Sequence, residues 1–86
     1  MAIISERIEG KIISVDINST NIKSATYDTE SQVLTVNFNN GGIYEYQSVP
    51  WELFAKFRMS DSQGKFLNQH VKGKYSHTKI KWERKH

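Results

Sequence analysis

Two tyrosines stand two residues apart in the stretch GGIYEYQSVP, residues 41 to 50. That spacing puts the rings of Tyr44 and Tyr46 on one face of a strand. Such a pair either fills a core or forms a platform on which a flat ligand, such as a nucleobase, stacks. The preceding turn decides between them. A two-residue Asn40-Gly41 loop sets Asn37 opposite Tyr44 and turns both rings to the face of Thr35 and Asn37. A three-residue loop with a bulge moves the register by one and sets them among Leu34, Val36 and Phe38. Gly41-Gly42 permits both.

Several further groups of residues bear on chemistry. Ser62-Gln63-Gly64-Lys65 opens a helix, where free N–H groups and a lysine suit a phosphate; alternatively Ser62 simply caps the helix. Asn68, one turn on, is either a polar reader of a ligand or a buried hydrogen-bonding bracket, and the bracket is expected. His70, His77 and His86 have spacings that match no common metal site, and His70 falls on an apolar stripe as a core residue. Serine, histidine and aspartate occur without the context that activates a nucleophile, and the acids Asp28 and Glu30 fall in a turn, so no catalysis is expected.

Charge is strongly uneven. Residues 1 to 64 carry five basic and eight acidic side chains, whereas residues 65 to 86 carry Lys65, Lys72, Lys74, Lys79, Lys81, Arg84 and Lys85 against Glu83 alone. A basic end of this kind suits a polyanion, or simply solvates the surface.

Alternating apolar residues mark the elements that must position these groups. KIISVDI (11–17), IKSATYD (22–28), VLTVNF (33–38) and IYEYQS (43–48) read as strands. Pro50 ends the last of them and suits the start of a helix over 50–59, with Ser48 as a possible cap. A second helix is expected over about 62–72, closed by Gly73. The tail after Tyr75 alternates weakly and reads as an edge strand or a basic arm. Strands followed by helices argue for an α+β fold: a single small antiparallel sheet of about four strands with two short helices packed on one face.

The 86 residues allow one small core. With no cysteine in the chain, disulfides and thiolate sites are excluded. No apolar run approaches membrane-spanning length, and the start lacks the pattern of a signal peptide, so a cytoplasmic protein is expected.

Five stretches together, STNIKSATYD, LTVNF, GGIYEYQSVP, SDSQGKFLNQHV and GKY, resemble the KTSC domain, a module named after the C-terminus of some lysyl-tRNA synthetases. Residues 19–80 carry the resemblance; 1–18 form an extension with an added strand and 81–86 a basic tail. The resemblance implies kinship with small bacterial and phage proteins and an RNA-binding role; from the residues themselves no cofactor, metal or membrane is expected. On that reading the basic residues named above meet the phosphates of RNA or another single-stranded nucleic acid. Tyr75 and Trp82 stack on bases, with Tyr44 and Tyr46 in reserve. The alternatives are a phage or prophage protein that grips a host protein through its added strand, or one that sequesters a small nucleotide.

Overall fold

In the computed structural model, which describes residues 3–82, the alternating segments form adjacent strands of one antiparallel sheet. These are β1 (Ile3–Glu9), β2 (Ile12–Ile17), β3 (Ile22–Asp28), β4 (Val33–Phe38), β5 (Gly42–Tyr46) and β6 (His77–Trp82), ordered as in the chain. The helical region lies between β5 and β6: α1 (Trp51–Met59), then α2 (Gln63–Phe66), which runs directly into a π-helical segment, Leu67–Val71. The architecture is α+β with an antiparallel sheet and two helices, as expected, but the sheet has six strands rather than about four.

The additional strands are β1 and β6. In β1 (IISERIE), two glutamates and an arginine obscure the alternation, and a register shift between Ile3 and Ser5 breaks it further. A two-residue turn, Gly10-Lys11, joins it to β2, and Gly10 supplies the positive φ of +61° there. Arg58 of α1 holds β1 from above, donating through one nitrogen to both carboxylate oxygens of Glu6 at 2.9 Å. The tail adopts the edge-strand alternative, pairing with β5.

One face of the sheet is apolar. Ile13, Val15 and Ile17 of β2, Ala25 and Tyr27 of β3, and Leu34 and Val36 of β4 are buried under Phe54 and Phe57 of α1 and Leu67 and Val71 of the π-helical segment. The opposite positions, such as Ser14, Thr26 and Thr35, remain partly exposed.

Two polar side chains join the helices to this core. Tyr27 stacks on Phe54 with ring centroids 4.5 Å apart, and its hydroxyl donates to the Val49 carbonyl at 2.6 Å. Pro50, at φ −70°, then caps α1, and its carbonyl accepts from Leu53 and Phe54. Ser48 is not the cap: it sits at φ +54° and α1 has no side-chain cap. At the other end of α1, Gln63 is fully buried and its Nε2 donates to the carbonyls of Phe57 and Ser60 at 3.0 Å and Arg58 at 3.3 Å. A helix ends with carbonyls that lack intrahelical partners, and one side-chain amide meets that need here.

His70 departs from its expected place in the core. A π-helical turn is wider than an α-helical one, and here it closes with Lys72 N–H donating to the Leu67 carbonyl at 2.9 Å. Leu67 and Val71 thereby take the buried line, and His70 is turned out to solvent, against the Phe66 ring at 4.6 Å.

Replacing Tyr27 with Phe keeps the stack but leaves the buried Val49 carbonyl unpaired, which is expected to cost about 1–3 kcal/mol. Urea denaturation checks this as a lowered midpoint with unchanged slope. Gln63→Glu sets a carboxylate against three carbonyl oxygens, so its folded-state pKa is expected to rise above its unfolded value. The variant is then closest to wild type below the ordinary glutamate pKa and loses stability as pH rises through the raised value. Equal wild-type and variant midpoints at neutral pH would refute this account of Gln63.

Candidate nucleic-acid interface

The β4–β5 turn takes the three-residue form. Gly41 N–H donates to the Phe38 carbonyl at 3.0 Å, Gly41 sits at φ +96°, and the Asn40 side chain accepts from Gly42 N–H at 2.9 Å. Asn37 therefore pairs with Ile43, Val36 with Tyr44 and Leu34 with Tyr46. Both tyrosines face the helices, among the apolar residues.

They fare differently there. Tyr46 is 2% exposed and leaves no ring face on which a base can stack. Tyr44 lies nearer the open end, half-buried, with the edge of one ring against the other at 5.5 Å from Phe38.

Strand β6 completes this end. It pairs Lys79 with Tyr44 and His77 with Tyr46, and a bulge follows before the pairing of Lys81 with Ile43. The exposed His77 ring lies 5.5 Å from Tyr44 and 5.7 Å from Tyr46. On the facing side Lys72 ends the π-helical segment, with its Nζ 5.5 Å from the centre of the Phe38 ring. Between them opens a cleft of about 280 Å³ lined by Phe38, Tyr44, Tyr46 and His77, with Asn40, Lys72 and Gly73 at its sides.

A larger cleft of about 540 Å³ lies beyond Phe38 and Lys72, which line both. Two loops build its wall. The Ser19 hydroxyl accepts from the backbone N–H of Asn21 and Ile22, Asn39 Nδ2 donates to the Ser19 carbonyl at 2.9 Å, and Asn39 N–H donates to the Asn21 carbonyl at 2.8 Å. Ile22 and Leu67 close the core beneath it, and Asn21, Asn39, Asn40 and Asn68 present amides to it. No carboxylate lines either cleft among the described residues.

The remaining sequence candidates are scattered. Ser62 caps α2, accepting from Lys65 N–H at 3.3 Å, so that N–H is occupied. Lys65 and Lys74 are exposed and line neither cleft, and Tyr75 packs against the core. Asn68 is not a buried bracket; it is exposed at the larger cleft, without a side-chain hydrogen bond among the described residues. The strand backbone of β6 carries Lys81 and Trp82, while Arg84 and Lys85 lie outside the described residues.

Phe38, His77 and the loop asparagines Asn21, Asn39 and Asn40 were not legible as site residues. The signal that points to Phe38 is the three-residue turn, which places it beside Tyr44. His77 depends on the register in which β6 pairs with β5, a long-range pairing that alternation within the tail does not reveal.

A six-stranded antiparallel sheet covered on one face by two helices, with a split cleft at one end, defines a small α+β module. It belongs to the KTSC domain family: the family model matches residues 18–75. A KTSC domain protein from Yersinia pestis has the same fold, with a TM-score of 0.77, 30% identity and coverage of 81% of this chain and 99% of that one. A protein from Stutzerimonas stutzeri is 38% identical over 55 residues, 64% of this chain and 78% of its own length. A lysine–tRNA ligase from Nostoc punctiforme is 35% identical over 54 residues, 63% of this chain but 10% of the ligase. The chain thus spans about a tenth of the ligases it matches. Among the described residues no helix is long and apolar enough to cross a membrane.

Burial, with a smaller contribution from Tyr44, pushes the Tyr46 phenol above the usual tyrosine range; burial does the same for Tyr27, aided by Glu52 and Asp28. The fold thus holds these protons more tightly than the unfolded chain. Their contribution to stability is complete below the ordinary phenol pKa of about 10 and is lost as pH rises through the raised values. Denaturation midpoints are expected to fall above about pH 10, and to fall less in Tyr46→Phe. A fall of equal size in that variant would contradict the assignment.

Proposed function

We propose that this chain is a non-catalytic module that binds single-stranded RNA, with a base in the aromatic cleft and phosphates on the surrounding lysines. The observation that carries the reading is the cleft itself. Phe38, Tyr44 and His77 offer aromatic surface, Lys72 stands at its rim, and no carboxylate lines it. Every base has a flat face, so aromatic surface beside a cation suits a strand without demanding one sequence. Lys65, Lys74 and Lys79 extend positive charge away from the cleft, and the neighbouring segment carries Lys81, Arg84 and Lys85. The kinship with lysine–tRNA ligases, whose substrate is an RNA, supports the same class of ligand.

Fluorescence anisotropy with a short labelled RNA, repeated across salt concentrations, tests the reading. Affinity is expected to fall linearly on a log–log plot, and Lys72→Gln is expected to reduce the slope by about 0.7, the value for one phosphate contact on a single strand. His77→Ala, at an exposed ring, is expected to cost roughly 1–3 kcal/mol if that ring stacks on a base. Binding that ignores salt and both substitutions would refute the proposal. In that case an edge-strand contact with a protein would become the better account.

A further inference from the structure

The larger cleft has no role in the binding of a single base, yet it adjoins the aromatic one. We propose that it is a second base subsite, so that the smallest unit the module recognises is a ribodinucleotide with its linking phosphate at Lys72. This rests on the RNA-binding reading above and adds to it a ligand length and a sequence preference.

Three observations carry it. First, the clefts share Phe38, Asn40 and Lys72, so a ligand leaving the aromatic side passes the Lys72 ammonium before it enters the other. A phosphodiester between two bases has its charge in that place. Second, the two clefts differ in chemistry. The aromatic cleft offers ring faces and suits any base. The larger offers side-chain amides around its opening, with the fully buried Ile22 and Leu67 closing the core beneath it. A side-chain amide carries donor and acceptor side by side, which matches the edge of a base rather than its face.

Third, two of those amides are uncommitted. Asn39 Nδ2 is bound to the Ser19 carbonyl and Asn40 Oδ1 to Gly42 N–H. The side chains of Asn21 and Asn68 make no hydrogen bond among the described residues, although they flank the same opening. Gly64 lies beside them and keeps the wall low. A methyl group there would lie 3.6 Å from Asn21 Nδ2 and 3.7 Å from Ser19 Oγ, ordinary contact distances. Alanine at position 64 is therefore accommodated by the fold while taking room from the cleft, and the backbone there is free of the positive φ that would strain it.

Calorimetry on the full chain with nucleoside 5′-monophosphates and the complete set of ribodinucleoside monophosphates tests the proposal. The best dinucleotide is expected to bind at least roughly tenfold tighter than the best mononucleotide, a difference of about 1.4 kcal/mol. Gly64→Ala and Asn68→Ala are each expected to lose most of that gain, while mononucleotide affinity stays as in the wild type. His77→Ala is expected to weaken both ligands. Dinucleotides that bind no tighter than mononucleotides would overturn the second subsite and leave the RNA-binding reading standing. So would Gly64→Ala and Asn68→Ala variants that weaken both ligand classes equally. Absence of binding by either class, together with no binding of the longer RNA, would overturn both.

Discussion

The register of one hairpin decides what this molecule can present to a ligand. Side chains alternate between the faces of a strand, so a shift of one residue between β4 and β5 would exchange every side chain of β5 from one face to the other. The three-residue turn, with Gly41 at φ +96° and Asn40 bracing Gly42, fixes the pairing of Val36 with Tyr44. Tyr46 then completes the core, and Tyr44 reaches the open end beside Phe38. Had the turn been one residue shorter, both rings would stand on the face of Thr35 and Asn37, and the aromatic cleft would lose its floor. Strand β6 inherits the same dependence, because His77 and Lys79 take their faces from the tyrosines opposite them.

A second constraint acts on the helices. A connection between β5 and β6 must cross the sheet and return, and its helix ends lie close to the core, where unpaired backbone groups are costly. Tyr27 meets this cost at the start of α1 and Gln63 at its end. Both side chains are buried, and both fix position as well as satisfying a carbonyl. With α1 held, the following segment has little choice in where to place Leu67 and Val71. The π-helical closure then delivers Lys72 to the rim of the cleft rather than to open solvent above the sheet.

The sequence exposes these arrangements to different degrees. β2, β3 and β4 are legible because alternation there is uninterrupted and turn residues bracket each run. The strand β1 is hidden by its charges, one of which, Glu6, faces inward to meet Arg58, a partner 52 residues away that no local pattern reveals. His70 is misplaced because helical spacing at 3.6 residues per turn does not hold across a segment that is wider. Gln63 escaped because a buried glutamine in a polar stretch looks the same in sequence as an exposed one. The Tyr44–Tyr46 pair was legible as a feature, but its face was not, since Gly41-Gly42 allows two loops.

The division between the family-matched segment and its additions runs through the site. All the residues of the asparagine cleft, from Thr20 to Lys72, fall within residues 18–75. The aromatic cleft takes its floor from that segment, but His77 lies beyond it, on β6. A property that depends on the asparagine cleft belongs to the bare domain; one that depends on His77 needs the final strand as well. β1 and β2 also lie outside the matched residues, and no residue of either strand lines the two clefts. Their contribution is therefore to the core and to the outer edge. The strand that alters the candidate site is β6, which sets Lys79 opposite Tyr44 and His77 opposite Tyr46.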